Sequence, residues 1–349
     1  MKLRRPFSPQ RDAFQGSGGI AVNKQTTLWT VRWVVAAIVL VLDPPQSAAQ
    51  QVAKVPHIGF LSAYGPLGPT VGIKEELEKL GWIDGKTVII HYGVSDTAST
   101  EPLNTLAAEL VQAKVDVLVA VTSTAAHAAK QATSKIPTVV YAAHAGVETG
   151  LFSSMARPGG NLTGNESLSP TLDAKRVEVM KQMMPSLRQV GVILNPSNPG
   201  ASDHLKSASA AAKATGITLT PIEVRGPQDF EAAYAALDSS RFDGLMFYVD
   251  EATTALQFSN FHTRKPIPAV CEFEFQVALG CLVSYGPLMS EFARTTAHQV
   301  DEILRGAEPA RMPVQQVTRF ELVINTRAAK ALKVTIPSSV LVRADKLIE

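Results

Sequence analysis

From residue 55 onward, short apolar runs alternate with stretches in which apolar positions recur every three to four residues. The runs at 57–61, 87–92, 115–121 and 138–142 are brief and rich in Val and Ile, which predicts strands. Segments 73–80, 101–113 and 123–134 carry the helical period between them. After Ser169 the alternation restarts, with strands expected at 190–194, 217–224, 244–249, 267–270 and 281–284. Helices are expected there at 171–184, 202–215, 230–237 and 253–264. Such alternation requires parallel sheets joined by right-handed crossovers and covered by helices on both faces. Two runs of it predict an α/β fold of two doubly wound parallel-sheet lobes. The tail breaks the rhythm: a helix over 288–305 ends at Gly306, Pro309 and Pro313 bracket an extended connection, and a strand at 320–324 precedes a helix at 326–332. The chain is therefore expected to pass between the lobes more than once.

The amino-terminal stretch has a different grammar. Residues 34–42 are uninterruptedly apolar, follow a basic stretch, and stop at Asp43-Pro44-Pro45 before a small-x-small site at Ser47-Ala48-Ala49. This predicts a secretory signal peptide over residues 1–49, cleaved after Ala49, since the apolar run is short of the roughly 20 residues of a membrane span. An uncleaved amino-terminal anchor is the alternative. The two cysteines are Cys271 and Cys281, so no thiol stands at the cleavage site to carry a lipid. Export places the body in the periplasm, where neither ATP nor NAD is supplied, and this favours capture of a small solute over nucleotide chemistry. Loss of the leader changes the net charge from +2 to −2, because six basic and two acidic residues leave with it. That balance provides no electrostatic footprint for nucleic acid or an anionic membrane surface. Two cysteines are too few for a disulfide scaffold, and whether they pair or stay as buried thiols is open at this stage.

Catalytic signatures are lacking. The chain has no G-x-S-x-G elbow, P-loop, H-E-x-x-H or C-x-x-C, and its seven histidines are scattered without metal-ligand spacing. No enzyme activity, cofactor or metal is expected. Glu272 and Glu274 alternate with Phe273 and Phe275 in a way that could mimic a catalytic carboxylate pair, but a partly exposed turn or strand is the expectation for them.

Several blocks carry a family resemblance. Ala156-Arg157-Pro158-Gly159-Gly160-Asn161-Leu162-Thr163-Gly164 resembles the signature loop of a family of ABC-transporter substrate-binding proteins with a type I periplasmic-binding fold, of the kind that takes tryptophan and other aromatic amino acids. Ile58-Gly59-Phe60-Leu61-Ser62 with Leu80-Gly81-Trp82, the 106–119 segment, Leu194-Asn195-Pro196-Ser197-Asn198-Pro199 and Ser284-Tyr285-Gly286-Pro287 are similar to further family blocks. So are Phe320-Glu321-Leu322-Val323-Ile324-Asn325 and Leu341-Val342-Arg343-Ala344-Asp345. The resemblance spans essentially all of 55–349. It implies two lobes joined by three crossovers, 55–164 with 286–312 and 165–285 with 313–349, and a monomer that hands its solute to a membrane permease. Two turns depart from the pattern. Ala145-Gly146 stands where relatives usually carry Asp-Pro, and Thr122-Ser123-Thr124 where they usually carry Gly-Thr-Pro, which leaves His144 and Glu148 beside a missing acid.

In doubly wound sheets ligands bind beyond the carboxyl ends of the strands, where turns present side chains and helix amino termini present free N–H groups. Those turns offer Ser62, Tyr64, Thr122, Ser123, Thr124 and His144 in the first lobe, and Asn195, Ser197, Asn198, Asp250 and Glu251 in the second. Short hydroxyl and amide side chains suit a neutral or zwitterionic solute, although each alone could be a helix cap or a turn. The expected ligand ring is Ser62, Tyr64, Thr122, Ser123, His144, Asn195, Asn198 and Asp250, with a purely structural role as the alternative for His144. Asp250, an acid directly after an apolar strand, is the expected partner of a ligand ammonium. The function expected is an exported solute receptor of an ABC importer that closes on an amino-acid-like or aromatic solute. A periplasmic ligand-sensing module serving a membrane partner other than a permease is the rival, and a secreted hydrolase a third reading.

Overall fold

The computed structural model describes residues 54–62, 69–95, 101–198, 200–238, 240–258 and 260–349. The predicted leader with its cleavage site, and Tyr64, lie outside the described residues. The body from Val55 to Glu349 is one compact unit. It opens with β1 (His57–Ser62), α1 (Pro69–Lys79), β2 (Ile89–Val94), α2 (Glu101–Gln112), β3 (Val117–Ala120), α3 (Ser123–Ala132), β4 (Thr138–Ala143) and β5 (Leu162–Glu166). A 3-10 turn (Ser169–Leu172) then leads into α4 (Asp173–Met183), β6 (Gln189–Leu194), α5 (Ala201–Thr215), β7 (Thr218–Glu223), α6 (Phe230–Ala236) and β8 (Gly244–Phe247). After these come α7 (Glu251–Phe258), α8 (Phe261–Arg264), β9 (Ala269–Cys271), α9 (Glu274–Ala278) and β10 (Val283–Pro287). The tail holds α10 (Met289–Leu304), β11 (Gln315–Gln316), β12 (Phe320–Asn325), α11 (Thr326–Ala331), α12 (Ser338–Leu341) and β13 (Lys346–Ile348).

These strands form two sheets, ordered β11-β5-β4-β3-β1-β2 and β13-β12-β10-β9-β8-β6-β7. Three crossovers join them. The chain leaves the first sheet after β5, returns as α10 and β11 after β10, and ends in the second sheet with β12 and β13. The interior strands read as continuous apolar runs because both faces are covered. In β3, Val117 and Val119 face one core cluster while Leu118 and Ala120 face another. In the second sheet Met246 of β8 belongs to one cluster and Leu245 and Phe247 to the other. Edge strands tolerate polar breaks, and β7 carries Pro221 at an edge, where a missing N–H costs no ladder bond to a second neighbour. The apolar stripe of α10, with Phe292, Ala293, Ala297, Val300 and Ile303, packs against the first sheet.

The all-parallel expectation fails at one pairing: β12 runs antiparallel to β10. It arrives from the other sheet rather than through a helix on its own, so the right-handed crossover rule does not set its direction. The predicted helix at 253–264 is two helices, α7 and α8, separated near Asn260, whose backbone is left-handed (φ 62°). Strand β5 is absent from the hydrophobic pattern because its inward side chains are polar and bonded to distant backbone carbonyls. Thr163 Oγ1 donates to the Met312 carbonyl at 2.8 Å, and Asn165 Nδ2 donates to the Tyr141 carbonyl at 3.0 Å. The two cysteines, whose state the sequence leaves open, form a disulfide between the end of β9 and the segment leading into β10, with Cα atoms 6.4 Å apart.

Gly164 ends the signature loop with φ 147°, and a Cβ there would lie 2.2 Å from the Val140 carbonyl oxygen. A side chain would meet both backbone strain and a backbone clash. Gly164→Ala should lower the unfolding free energy by at least about 2 kcal/mol, read as a reduced urea midpoint with little change in slope. A midpoint equal to the parent's would show that the β4–β5 approach is not close-packed.

Candidate functional site

The carboxyl ends of β3 and β4 in one sheet and of β6, β8 and β9 in the other converge on a single cleft. Its narrow cavity is lined by His144 from the first sheet and by Leu194, Asn195, Asn198, Ala201, His204, Tyr248, Val249 and Asp250 from the second. Thr122 caps α3, accepting the Ala125 N–H at 3.2 Å, and donates its hydroxyl across the cleft to Glu251 Oε1 at 2.8 Å. Ser123 Oγ accepts the His144 N–H at 2.9 Å and so holds the turn after β4. Ser62, at the end of β1, is fully buried.

On the second sheet the Asn195 and Asn198 turn serves Asp250. Asn195 Nδ2 donates to Asp250 Oδ1 at 2.9 Å, Asn198 Nδ2 to Oδ2 at 3.0 Å, and the Ala252 N–H to Oδ1 at 2.9 Å. The amide oxygens of the two asparagines are themselves occupied, accepting the N–H groups of Ser197 and Gly200. The two asparagines thus both shape the turn after β6 and bond Asp250. Asp250 is 3 % exposed, every one of its donors is neutral, and among the described residues no ion pair reaches it.

Aromatic edges close the cavity. The His204 ring stacks on Tyr248 with centroids 4.2 Å apart and meets His144 edge-on at 5.4 Å. Burial, reinforced by His204, pushes the His144 imidazole down to about 4, so it is neutral at physiological pH with its Nδ1 unpartnered. His144 thus stands at the cavity wall opposite Gly200, rather than inside either core.

Beneath the cavity lies a charged cluster that sequence reasoning missed. Glu272, expected on a partly exposed turn or strand, is fully buried at the end of β9. Its carboxylate accepts the Ser169 hydroxyl and the Val249 N–H, and faces His204 Nε2 at 3.6 Å and Arg176 at 3.8 Å. Arg176 donates to Asp173 at 2.5 Å and to the carbonyls of Ser169 and Tyr285, and His204 Nδ1 lies 2.8 Å from Asp173. Burial alone would raise the Glu272 carboxyl, but the attraction of His204 and Arg176 outweighs it and holds the group below the ordinary carboxylate range. The rule that found Asp250, an acid directly after an apolar strand, applies equally to Glu272 after β9. The Phe-Glu-Phe alternation obscured it. A second missed acid is Glu166, which receives the Gly146 N–H at 3.1 Å and supplies a carboxyl at the turn where Ala145-Gly146 replaces an acid. Its burial raises it to about 7.

The sequence matches the family description "ABC transporter substrate binding protein" over residues 55–348. The chain belongs to this family. A tyrosine-binding protein of Clostridioides difficile (strain R20291) is 26 % identical over 265 residues, covering 75 % of each chain. A conserved domain protein of Vibrio cholerae superposes with a TM-score of 0.77 at 26 % identity, covering 84 % of this chain and all of its own. An ABC domain from Streptococcus pneumonia solved with L-Trp superposes at 0.76 with 24 % identity, covering 84 % and 99 %. These likenesses identify the paired sheets as the type I periplasmic-binding fold of substrate-binding proteins, in which the family's role is binding rather than catalysis.

Removing one member of a buried charge cluster strands the others. Glu272→Ala should cost about 3–5 kcal/mol at neutral pH, and Glu272→Gln less, because the amide still offers an acceptor. A depressed carboxylate stabilises the fold above its ordinary range and loses that contribution as pH falls, so the deficit of the alanine variant should shrink in acid. Urea unfolding of both variants at neutral pH and in mild acid checks this, and an unchanged neutral-pH stability would contradict it.

Proposed function

We propose that this chain is the exported solute receptor of an ABC importer, and that it captures an amino-acid-like, aromatic zwitterion in the cleft between its sheets. One observation carries the reading: Asp250 is a buried carboxylate held by three neutral donors, with no described cation to balance it. Such a group favours a ligand ammonium, since a buried charge left uncompensated is costly. The His144, His204 and Tyr248 rings beside it provide flat edges against which an aromatic side chain can stack. The tyrosine-binding relative and the L-Trp-bound neighbour support the same solute class. Ser62, Thr122 and Ser123 on the first sheet are the expected partners of the ligand carboxylate.

The two lobes, each built on one of the sheets, close about the crossovers when contacts on both sides favour the closed state. The expected partner is a membrane permease, and the expected compartment the periplasm.

A charge-assisted hydrogen bond contributes roughly 1.5–3 kcal/mol, so Asp250→Ala should weaken L-tyrosine or L-tryptophan about 10- to 150-fold. Ser123→Ala removes a neutral bond and should cost about 1 kcal/mol. Calorimetric titration measures both, and an Asp250→Ala protein that binds the amino acid as well as the parent does would refute the cation site. Export has its own check: the protein recovered from periplasm should begin at Gln50, and Edman sequencing that finds Met1 would overturn cleavage after Ala49.

A further inference from the structure

Beside Asp250 stands a second acid whose surroundings are opposite in kind. Glu251 is 2 % exposed and follows Asp250 at the head of α7. Asp250 takes three donors, whereas Glu251 takes two, the Thr122 hydroxyl on Oε1 and its own backbone N–H. Its Oε2 is buried and has no partner. Two adjacent buried carboxyls with no cation cannot both ionise at modest cost, and the one with fewer donors keeps the proton. Because Oε1 accepts from Thr122, the proton is assigned to Oε2, the atom that receives no donor. The Thr122 bond also fixes where Glu251 points, since Thr122 heads α3 on the opposite sheet.

We propose that Glu251 works in its acid form as a donor, and that its Oε2 hydroxyl hydrogen-bonds an acceptor oxygen of the bound solute, a carboxylate or carbonyl. This rests on the cleft being the solute site and names a residue that selects for that oxygen and makes capture dependent on pH. Burial first, then the charge of Asp250 and a hydrogen bond to its side chain, raise the Glu251 carboxyl to about 8, so the acid form prevails at neutral pH and disappears above it. Other ionisable groups around the cleft titrate elsewhere or are committed. His144 loses its proton near 4, and Glu166 titrates near 7 on the turn after β4. Glu272 is held below its ordinary range with Arg176 and His204. Along α7, His262 on α8 is neutral above about 4, Arg264 pairs with Glu231, and Asp229 in the Pro227–Asp229 turn accepts the Arg225 N–H.

The test is calorimetric titration of the full body with L-tyrosine and L-tryptophan at pH 6.5 and pH 9, for the parent and for Glu251→Gln. When only the protonated form is competent, a carboxyl near 8 leaves about a tenth of the protein competent at pH 9. Parent affinity should therefore fall about tenfold between the two conditions. Glu251→Gln keeps one donor and one acceptor without titrating, so it should bind at pH 6.5 within a few-fold of the parent and lose nothing specific to Glu251 at pH 9. The ligand amine and Glu166 titrate alike in both proteins and cancel in the comparison. Equal pH dependence in the two proteins, or tighter parent binding at pH 9, overturns the proposal while leaving the solute site intact. No binding by the parent at pH 6.5 sinks the solute reading and this inference together. If Glu251→Gln does not fold, the parent profile alone decides, because a flat or rising affinity is incompatible with an acid-form donor.

Discussion

The Glu272 carboxylate is the joint on which the cleft depends. One oxygen takes the Ser169 hydroxyl just after the first crossover, the other takes the backbone N–H of Val249, and Asp250 follows at once. Arg176 completes the joint by donating to the carbonyls of Ser169 and Tyr285, so the first crossover and β10 share a single cation. A buried arrangement of this kind brings little net stability compared with an apolar core of the same shape, because desolvation offsets the attraction. Its value lies in position. Each member is satisfied only when the turns after β8 and β9 and the first crossover hold one mutual geometry.

Close backbone approaches reinforce that geometry. A Cβ at Gly286 would lie 1.8 Å from the Glu272 carbonyl oxygen, so β10 can run against the end of β9 only as glycine. The Cys271–Cys281 disulfide ties the end of β9 to the lead into β10 beside the same segment. Gln276 in the intervening helix α9 accepts the Glu272 and Phe273 N–H groups and passes the constraint to Gln257 on α7. The helix that starts with the cleft acids is thereby braced from beneath.

The cleft itself divides its chemistry between two neighbouring acids. Asp250 has neutral donors on both oxygens, whereas the one side-chain donor to Glu251 is a hydroxyl reaching from the other sheet. The asymmetry comes from donor supply, which the turns after β6 and β3 determine, and not from the acids themselves.

Much of this was legible in the sequence. The alternation of apolar runs and helical periods specified two parallel-sheet layers, since strands covered on both faces must be apolar throughout, and the rule that ligands sit beyond strand ends pointed to Thr122, Ser123, His144, Asn195, Asn198 and Asp250. Strand β5 and Glu272 were illegible for one shared reason: both are polar groups buried with distant partners, Thr163 with Met312 and Glu272 with Ser169 and Val249. Local pattern reads burial from hydrophobicity and cannot register a polar atom whose desolvation is repaid by a residue a hundred positions away. The antiparallel β12, the Cys271–Cys281 pairing and the meeting of Thr122 with Glu251 likewise follow from how the two sheets are set by the crossovers. Periodicity determined which elements exist and which of their ends carry chemistry. The tertiary structure alone decided which ends meet, because the hydrogen bonds and charges that join them act between segments that the chain keeps far apart.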